Sequence, residues 1–334
     1  MEKTNRHLPF GWLLGLLTML TLAAALLGLR FGSASLSLVD VLRGLARTDP
    51  HSPAAQIVWV VRLPHVLACL LAGAGLAISG VLLQTATDNP LAGPNVIGVN
   101  AGAGFAMVLG LCFAPMAYRL LPLMAFAGAF ACTLLITFIA GRAGGSRVTV
   151  VLAGVAVSSL LSAGIALIKL LYPDMSIAYN AFSVGGFSGV SLEMLALPAV
   201  IILTVLVMSL LLSGRVNLLC LGDAIAASLG VRARLIRMLT LMLASASAAA
   251  AVSFAGLLGF VGLMVPHIAR RLTGSADVRR QLPSAALLGA ALVVLADLLG
   301  RTLFAPSEVP AGVITALIGA PFFFVLLMQR RNRL

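Results

Sequence analysis

Ionisable side chains are scarce in the apolar parts of this 334-residue sequence. Asp297 and Arg301 are four residues apart, so on one helix they either pair across a turn and neutralise each other or belong to a functional site. Lys169 and Asp174 flank the end of an apolar run, where long charged side chains extend to the membrane edge. His267 has no second histidine or carboxylate at a metal-binding spacing, so we predict a hydrogen-bonded packing residue there and no metal site.

Catalytic signatures are absent from the sequence. A phosphate-binding Walker loop needs lysine after glycine, whereas the only lysines, Lys3 and Lys169, follow glutamate and isoleucine. Neither HExxH nor GxSxG occurs. We therefore expect a chain that is not an enzyme, with no catalytic residues and no bound cofactor, so any energy for work comes from another protein.

Four cysteines occur singly, and no two of them have the spacing of a metal or redox motif. We interpret all four as small core residues. They are Cys69, Cys112, Cys132 and Cys220.

The composition places these residues in a bilayer. The chain is 61% hydrophobic and 10% charged, with a mean hydropathy of +1.11. This excludes a soluble enzyme, a disordered tail and a disulfide-stapled secreted module. The net charge of +12 indicates topology rather than a nucleic-acid partner, because membrane proteins concentrate lysine and arginine in cytoplasmic loops.

Runs of about 20 apolar residues predict an all-α polytopic membrane protein with about ten spans, several of them short or broken. The stretch 91–117 is glycine-rich and predicts one short span. The stretch 238–269 predicts a full span and a short one, with a break at 256–262. The run from Phe10 is too long for a signal peptide. Seven single spans are predicted at 10–29, 64–87, 120–141, 148–168, 194–213, 282–299 and 309–328.

An even number of spans places both termini on one side, and the charge pattern predicts that this side is the cytoplasm. Fifteen of the 22 lysines and arginines then fall on the cytoplasmic side. These are Lys3, Arg6, Arg142, Arg147, Arg215, Arg232, Arg234, Arg237, Arg270, Arg271, Arg279, Arg280, Arg330, Arg331 and Arg333.

The chain also shows a weak internal repeat within one predicted permease domain, 1–334, with halves at about 1–190 and 191–334. A long span followed by a glycine-interrupted short one occurs at 64–104 and again at 235–272. Such pairs are typical of transporters built from repeats. Close packing of helices through small residues is the alternative reading.

The loop 215–237 contains a segment too short to span a membrane. Asp223 is a helix N-cap residue type and Gly230 a helix stop signal, with small residues between them. We interpret the segment as a stub that inserts into a cytoplasmic partner. An ion-coupled secondary transporter is the alternative function, and a passive channel is a third. The ion-coupled alternative is disfavoured because buried carboxylates and histidines are nearly absent.

Several motifs in register resemble the FecCD-type permeases of ABC importers over essentially the whole chain. They are RLPHVLACLLAGAGLAISGVLLQTATDNPLAGPNVIGVNAGA, LAGVAVSSLLSA, the LGD and SLGV loop, GFVGLMVPHIARRLTGSADVRRQLP, and ADLLGRTLFAPSEVPAGVITALIGAPFF. Members of this family carry ferric siderophores, haem or cobalamin into bacteria. The motifs favour a siderophore, then haem, then cobalamin.

The resemblance implies ten helices, a homodimer or a pair with a close homologue, two separate ABC ATPase subunits that use ATP and Mg²⁺, and a periplasmic or lipoprotein binding protein. Its coupling helix maps onto 221–231, its gate onto 144–149, and its pathway onto the fifth and tenth spans. The implied coupling residues are Leu221, Gly222, Asp223, Ala224, Ala227, Ser228, Leu229 and Gly230. The pathway and gate candidates are Ser146, Arg147, Thr149, Ser158, Ser162, Gly312 and Thr315, for which helix packing is an equal alternative.

The family's docking residues for the binding protein map onto Arg62, His65 and Arg301. Here the family's RLPR has become RLPH, so His65 supplies less positive charge near pH 7 than arginine does. Ala311 is a second departure, where valine is usual. Neither changes the implied family.

Overall fold

The computed structural model describes residues 9–32, 36–47, 52–95, 97–113, 118–143, 147–303, 305 and 307–331. Within these ranges the chain forms α-helices and no strand, which confirms the predicted all-α class. A π-helix at Ile57–Arg62 joins the third helix to the fourth. The helices are α1 (Phe10–Arg30), α2 (Leu38–Leu45), α3 (Pro53–Gln56), α4 (Leu63–Thr87), α5 (Val99–Phe113), α6 (Leu121–Arg142), α7 (Arg147–Leu171), α8 (Ser176–Val184), α9 (Leu192–Leu218), α10 (Asp223–Ser228), α11 (Ala233–Ala255), α12 (Val261–Thr273), α13 (Val278–Leu303) and α14 (Ala311–Arg331).

Seven helical segments in the described ranges are long and apolar enough to cross a membrane: α1, α3 to α4, α6, α7, α9, α11 and α13. Helices α5 and α14 are shorter apolar helices, and α12 is a 13-residue helix that follows the break, so the prediction of about ten helices, several of them short or broken, is confirmed. We call the side that carries α10 the α10 face, and the opposite side, which carries α8, the α8 face.

The predicted break in the 238–269 stretch is confirmed. Helix α11 ends at Ala255 and α12 begins at Val261. Gly256 has a φ of +69°, and the N–H of Leu257 donates to the Phe182 carbonyl at 3.0 Å. Non-helical backbone inside an apolar bundle needs such internal partners, because lipid offers none.

The same layout occurs twice in opposite directions. Helix α4 leads through residues 88–98 to α5, and α11 leads through residues 256–260 to α12. The two connections meet, since a Cβ on Gly262 would lie 3.0 Å from Pro94. Between them lies a cavity of about 120 Å³. The interrupted helices therefore line a shared region, as in transporters with inverted repeats.

The helical span that contains α4 starts earlier than the predicted residue 64. Helical structure is continuous from Pro53 through α3, the π-helix and α4. The expected boundary rested on the charge of Arg62. Its guanidinium instead donates to the carbonyls of Leu29 and Arg30, at 2.6 and 2.5 Å, at the C-terminal end of α1. A cation at that end of a helix is stabilised by the helix dipole, so the charge does not end the helix.

The cysteine prediction is right for two of the four residues. Cys69 and Cys132 are buried, and Cys112 is half-buried with its Sγ 3.2 Å from the Met175 sulfur. Cys220 is exposed. It lies in the 3₁₀ turn between α9 and α10, beyond the apolar part of α9.

Glycine contacts bring α4 and α13 together. A Cβ on Gly73 would overlap the backbone of Gly289, and a Cβ on Gly80 would overlap Gly262 of α12. Small residues at such crossings let backbones approach and gain dispersion contacts. Helix α4 is accordingly the most buried long helix among the candidate spans, with 78% of its apolar window inside the protein.

Replacing Gly73 with alanine is expected to lower the melting temperature of the purified protein. The added methyl group must displace the Gly289 backbone, and overpacking typically costs about 1–3 kcal/mol. Gly15→Ala is the control, because a Cβ at Gly15 meets nothing within 4 Å. Equal melting temperatures for the two variants would contradict the close crossing.

Candidate functional site

Helix α10 is a short element outside the predicted spans. It follows Gly222, with a φ of +95°, and its chain reverses at Gly230, with a φ of +77°. Both values lie in the left-handed region that glycine adopts without strain. The glycine stop signal therefore marks the real end of the helix. The predicted capping role of Asp223 is wrong, because Gly222 holds the N-cap position and Asp223 is the first helical residue, with its carboxylate paired to Arg237.

One face of this element is apolar and exposed. Ile225 is 51% exposed, and Leu221 and Leu229 are exposed to similar extents, whereas Ala226 is buried. Large apolar side chains outside the spans indicate a surface that another protein covers. Sequence reasoning missed Ile225, because it weighed the small residues of the segment. The spacing of Leu221, Ile225 and Leu229, four residues apart, was the available signal.

Arg237 of α11 fastens α10 to the bundle. Its guanidinium pairs with both carboxylate oxygens of Asp223, and its Nε donates to the Ala86 carbonyl in the last turn of α4 at 3.2 Å. The Arg237 side chain is 6% exposed and that of Asp223 is 58% exposed, so only the guanidinium end of the pair is sheltered from water. Sequence reasoning counted Arg237 as a topology charge, and nothing in its spacing from Asp223 indicated the pair.

A second polar link on the α10 face joins α9 to α13. The Asn217 amide donates to Asp277 at 2.6 Å, and its oxygen accepts from the N–H of Val278 at 2.9 Å. Burial alone would raise the pKa of the Asp277 carboxyl. The hydrogen bonds from Asn217 and the Arg279 N–H, with the charges of Arg279 and Arg280, hold that pKa below its ordinary value.

On the α8 face, a cavity of about 360 Å³ opens beside α4, α8 and α13. Asp297 is 4% exposed and accepts from His65 Nε2 at 2.9 Å and from Arg301 Nε at 2.8 Å. The predicted pair of Asp297 and Arg301 is therefore present, and His65 joins it from 232 residues away in the sequence. Residues lining the cavity include His65, Phe182, Phe187, Asp297, Arg301 and Glu308.

The three predicted docking residues lie together at this face, and their polar groups point inward. Arg62 and Arg301 are 4% and 7% exposed, and His65 is partly buried. The guanidinium groups of Arg62 and Arg301 lie near each other, because a Cβ placed on Gly32 would contact both of them. Further arginines at helix ends on this face are exposed, and sequence reasoning assigned them no role: Arg30, Arg43, Arg47 and Arg119.

The predicted pathway residues divide between exposed and packed positions. On α7, Ser162 is exposed, and Ser158 and Thr149 are half-buried. Gly312 and Thr315 of α14 are both buried. Gly312 packs against the end of α8 and its N–H donates to the Gly185 carbonyl at 3.1 Å, whereas the Thr315 hydroxyl donates to the Gly312 carbonyl of its own helix at 3.0 Å. Ser146 lies outside the described residues, and Arg147 begins α7 with its side chain also outside them.

Helices α7 and α14 present apolar surface beyond the bundle. Only 17% of the apolar window of α7 is buried. Exposed side chains include Leu152, Val155 and Leu160 of α7, and Leu317 and Phe324 of α14. This surface faces lipid or another protein.

These features define a multi-pass membrane protein with an exposed apolar element, α10, at one face. The chain belongs to the FecCD transport family, whose sequence model matches residues 20–329. This membership confirms the resemblance carried by the motifs.

Relatives agree over nearly the full length. The achromobactin transport system permease protein CbrC of Dickeya dadantii is 38% identical, over 94% of this chain and 90% of its own. The hemin transport system permease protein HmuU of Yersinia pestis is 35% identical, over 99% of this chain and 98% of its own. A solved metal-chelate type ABC transporter in an inward-facing conformation has a TM-score of 0.85 and 33% identity, over 96% of this chain and 99% of its own.

Removing the Arg237 side chain is expected to loosen α10. Arg237→Ala should raise amide hydrogen exchange across 222–230 about tenfold or more, since a hydrogen bond to a charged group contributes about 1.5–3 kcal/mol. Exchange measured by mass spectrometry would report this. Arg234→Ala is the matched control, because Arg234 donates to the Gly141 carbonyl and not to α10. Equal exchange in both variants would show that Arg237 does not hold the helix.

Proposed function

We propose that this chain is the permease subunit of a binding-protein-dependent ABC importer that moves a metal chelate inward across the bacterial cytoplasmic membrane. The observation that carries the proposal is the exposed apolar face of α10 in a FecCD family chain. Permeases for achromobactin and hemin at 38% and 35% identity support a ferric siderophore as first candidate and haem as second. Cobalamin comes third.

The proposal assigns the α10 face to the cytoplasm. Among the described residues, more arginines lie near helix ends on that face than on the α8 face, as the positive-inside rule requires. Those on the α10 face include Arg142, Arg215, Arg232, Arg234, Arg237, Arg270, Arg271, Arg279 and Arg280. Two copies of a separate ATPase bind there, one on each α10, and hold the ATP and Mg²⁺. This chain then forms a single permease domain with no catalytic residues and no cofactor of its own.

Motion of α10 reaches the bundle through Arg237. An ATPase that shifts α10 pulls on Asp223, and the same guanidinium touches the end of α4 at Ala86. Because α4 is packed against α13, the force acts on the bundle core rather than on a loop. ATP binding and hydrolysis in the partner thereby rock the permease between outward and inward states.

The exposed apolar sides of α7 and α14 suit a second copy of this chain or a close homologue. The chelate passes between the two copies, along a wall of small and hydroxyl residues such as Ser162. A weakly polar wall releases a large chelate that a strong site would retain. Gly312 supports this wall from behind by packing against the end of α8, and Thr315 donates to the Gly312 carbonyl.

The α8 face receives the binding protein in this proposal. Arg62 and Arg301 donate hydrogen bonds to groups inside the chain, so neither contacts the binding protein directly. They position the helix ends at this face and contribute positive electrostatic potential to it. The exposed arginines Arg30, Arg43, Arg47 and Arg119 are the groups that acidic side chains of the partner reach.

An ion-coupled secondary transporter is the second candidate, because Asp297 and His65 form a buried acid and base beside a cavity. Arg301 argues against it. Its guanidinium donates to the Asp297 carboxylate at 2.8 Å, so that carboxylate already has a charge partner within the same helix.

Uptake into proteoliposomes tests the proposal. Liposomes hold this chain with its ATPase and binding protein, and the panel contains labelled ferric siderophores, haem and cobalamin. We expect ATP-dependent uptake of one chelate, lost in Asp223→Arg because the new cation faces Arg237. Asp174→Arg, an exposed carboxylate far from α10, should retain uptake. Uptake without the ATPase that a protonophore abolishes would establish the ion-coupled alternative.

The apolar face of α10 can be tested by co-purification. Ile225→Glu should abolish retention of the ATPase on immobilised permease, because the carboxylate cannot enter an apolar groove without a large desolvation cost. Ile177→Glu introduces the same charge at an exposed residue of α8 and should leave retention unchanged. Full retention by Ile225→Glu would assign the ATPase contact to another surface.

A further inference from the structure

Three potential metal ligands converge at the α8 face. His65 and Cys69 are four residues apart on α4, so they lie on one side of the helix. Asp297 of α13 lies opposite them. The His65 imidazole nitrogen, the Cys69 sulfur and an Asp297 oxygen all lie within 4.8 Å of one another. The crossing of α4 and α13 at Gly73 and Gly289 fixes this arrangement.

We propose that His65, Cys69 and Asp297 form a binding site for a zinc-type divalent cation. One nitrogen, one sulfur and one oxygen match the ligands that Zn²⁺ accepts, whereas Mg²⁺ and Ca²⁺ prefer oxygen alone. Ferric iron in a chelate is a different species, so this site is separate from the cargo. The proposal does not depend on the transport function.

The surroundings suit a site with an open position. His65 and Asp297 line the 360 Å³ cavity, from which an ion and one water molecule have access. The Phe187 ring stands edge-on to the imidazole, with 5.8 Å between the ring centroids, and so borders this ligand on one side. Cys69 lies behind them, fully buried. Three protein ligands and one accessible position resemble a catalytic rather than a closed structural zinc site.

The site supplies two negative charges for the ion. Binding a divalent cation releases the thiol proton of Cys69, so thiolate and carboxylate offset the charge of the ion, and the Arg301 guanidinium leaves one positive charge beside the site. Arg301 holds the second oxygen of Asp297 at 2.8 Å, as outer partners of ligating carboxylates do. The hydrogen bond between His65 and Asp297 must open, since ligand atoms about 2.0–2.3 Å from a tetrahedral ion lie farther apart than 2.9 Å.

Cobalt titration of the purified full-length permease tests the site, with Co²⁺ as a coloured substitute for Zn²⁺. We expect one equivalent of Co²⁺ to give a thiolate-to-cobalt absorption band in the near ultraviolet, and Zn²⁺ to displace it. Cys69→Ser should lose the band. Cys132→Ser is the matched control, because Cys132 is equally buried but has no histidine or carboxylate beside it in the described cluster.

His65→Gln provides a second variant that keeps the thiol and a hydrogen-bonding group beside Asp297, and it should also lose the tetrahedral cobalt spectrum. Melting temperatures confirm that each variant is folded before titration. A folded wild-type protein without the thiolate band, or a band that persists in Cys69→Ser, would overturn the proposal. Cobalt absorption without a thiolate band would do the same.

Discussion

The crossing of α4 and α13 at Gly73 and Gly289 is the constraint on which both faces of the protein depend. Helix α4 has one end beside α10, where Ala86 accepts from Arg237, and the other beside the cavity that His65 lines. A side chain larger than hydrogen at the crossing would separate the helices along their whole contact. The two glycines therefore set the distance between His65 and Asp297 as directly as those residues do.

The buried charges follow from the same constraint. A charge removed from water is costly unless it is paired and hydrogen-bonded. Arg62 is satisfied by the carbonyls that end α1, and Asp297 by a histidine and an arginine. These partners come from different helices, so polar contacts hold together the ends of α1, α4 and α13 at the α8 face. Packing of small residues alone would leave those ends free to separate.

Sequence reasoning reached those parts of the structure that local patterns determine. The break between α11 and α12 was predictable because glycines interrupt an apolar run, and the pairing of Asp297 with Arg301 because four residues make one helical turn. The hydrogen bond between His65 and Asp297 joins residues 232 positions apart and depends on a helix crossing. No local spacing in the sequence could therefore predict it. The burial of Arg62 could not be predicted for the same reason. A charge two residues before a proline indicates the end of a span unless its hydrogen-bond acceptors on α1 are known. Ile225 was missed although its four-residue spacing from Leu221 and Leu229 was visible. The interpretation of this segment rested on its small residues instead.

The distribution of burial suggests which parts of the bundle can move. In α4, 78% of the apolar window is inside the protein, against 17% in α7. A shift of α4 must carry α13 with it, because their backbones are in contact, whereas α7 can tilt with the loss of few buried contacts. In the proposed function, a force applied at α10 would reach α4 through Arg237 before it reached α7, and α4 and α13 would move together. Helix α7 has few buried contacts to resist a tilt, so the same movement would change the surface that its exposed side presents to a neighbouring protein or to lipid.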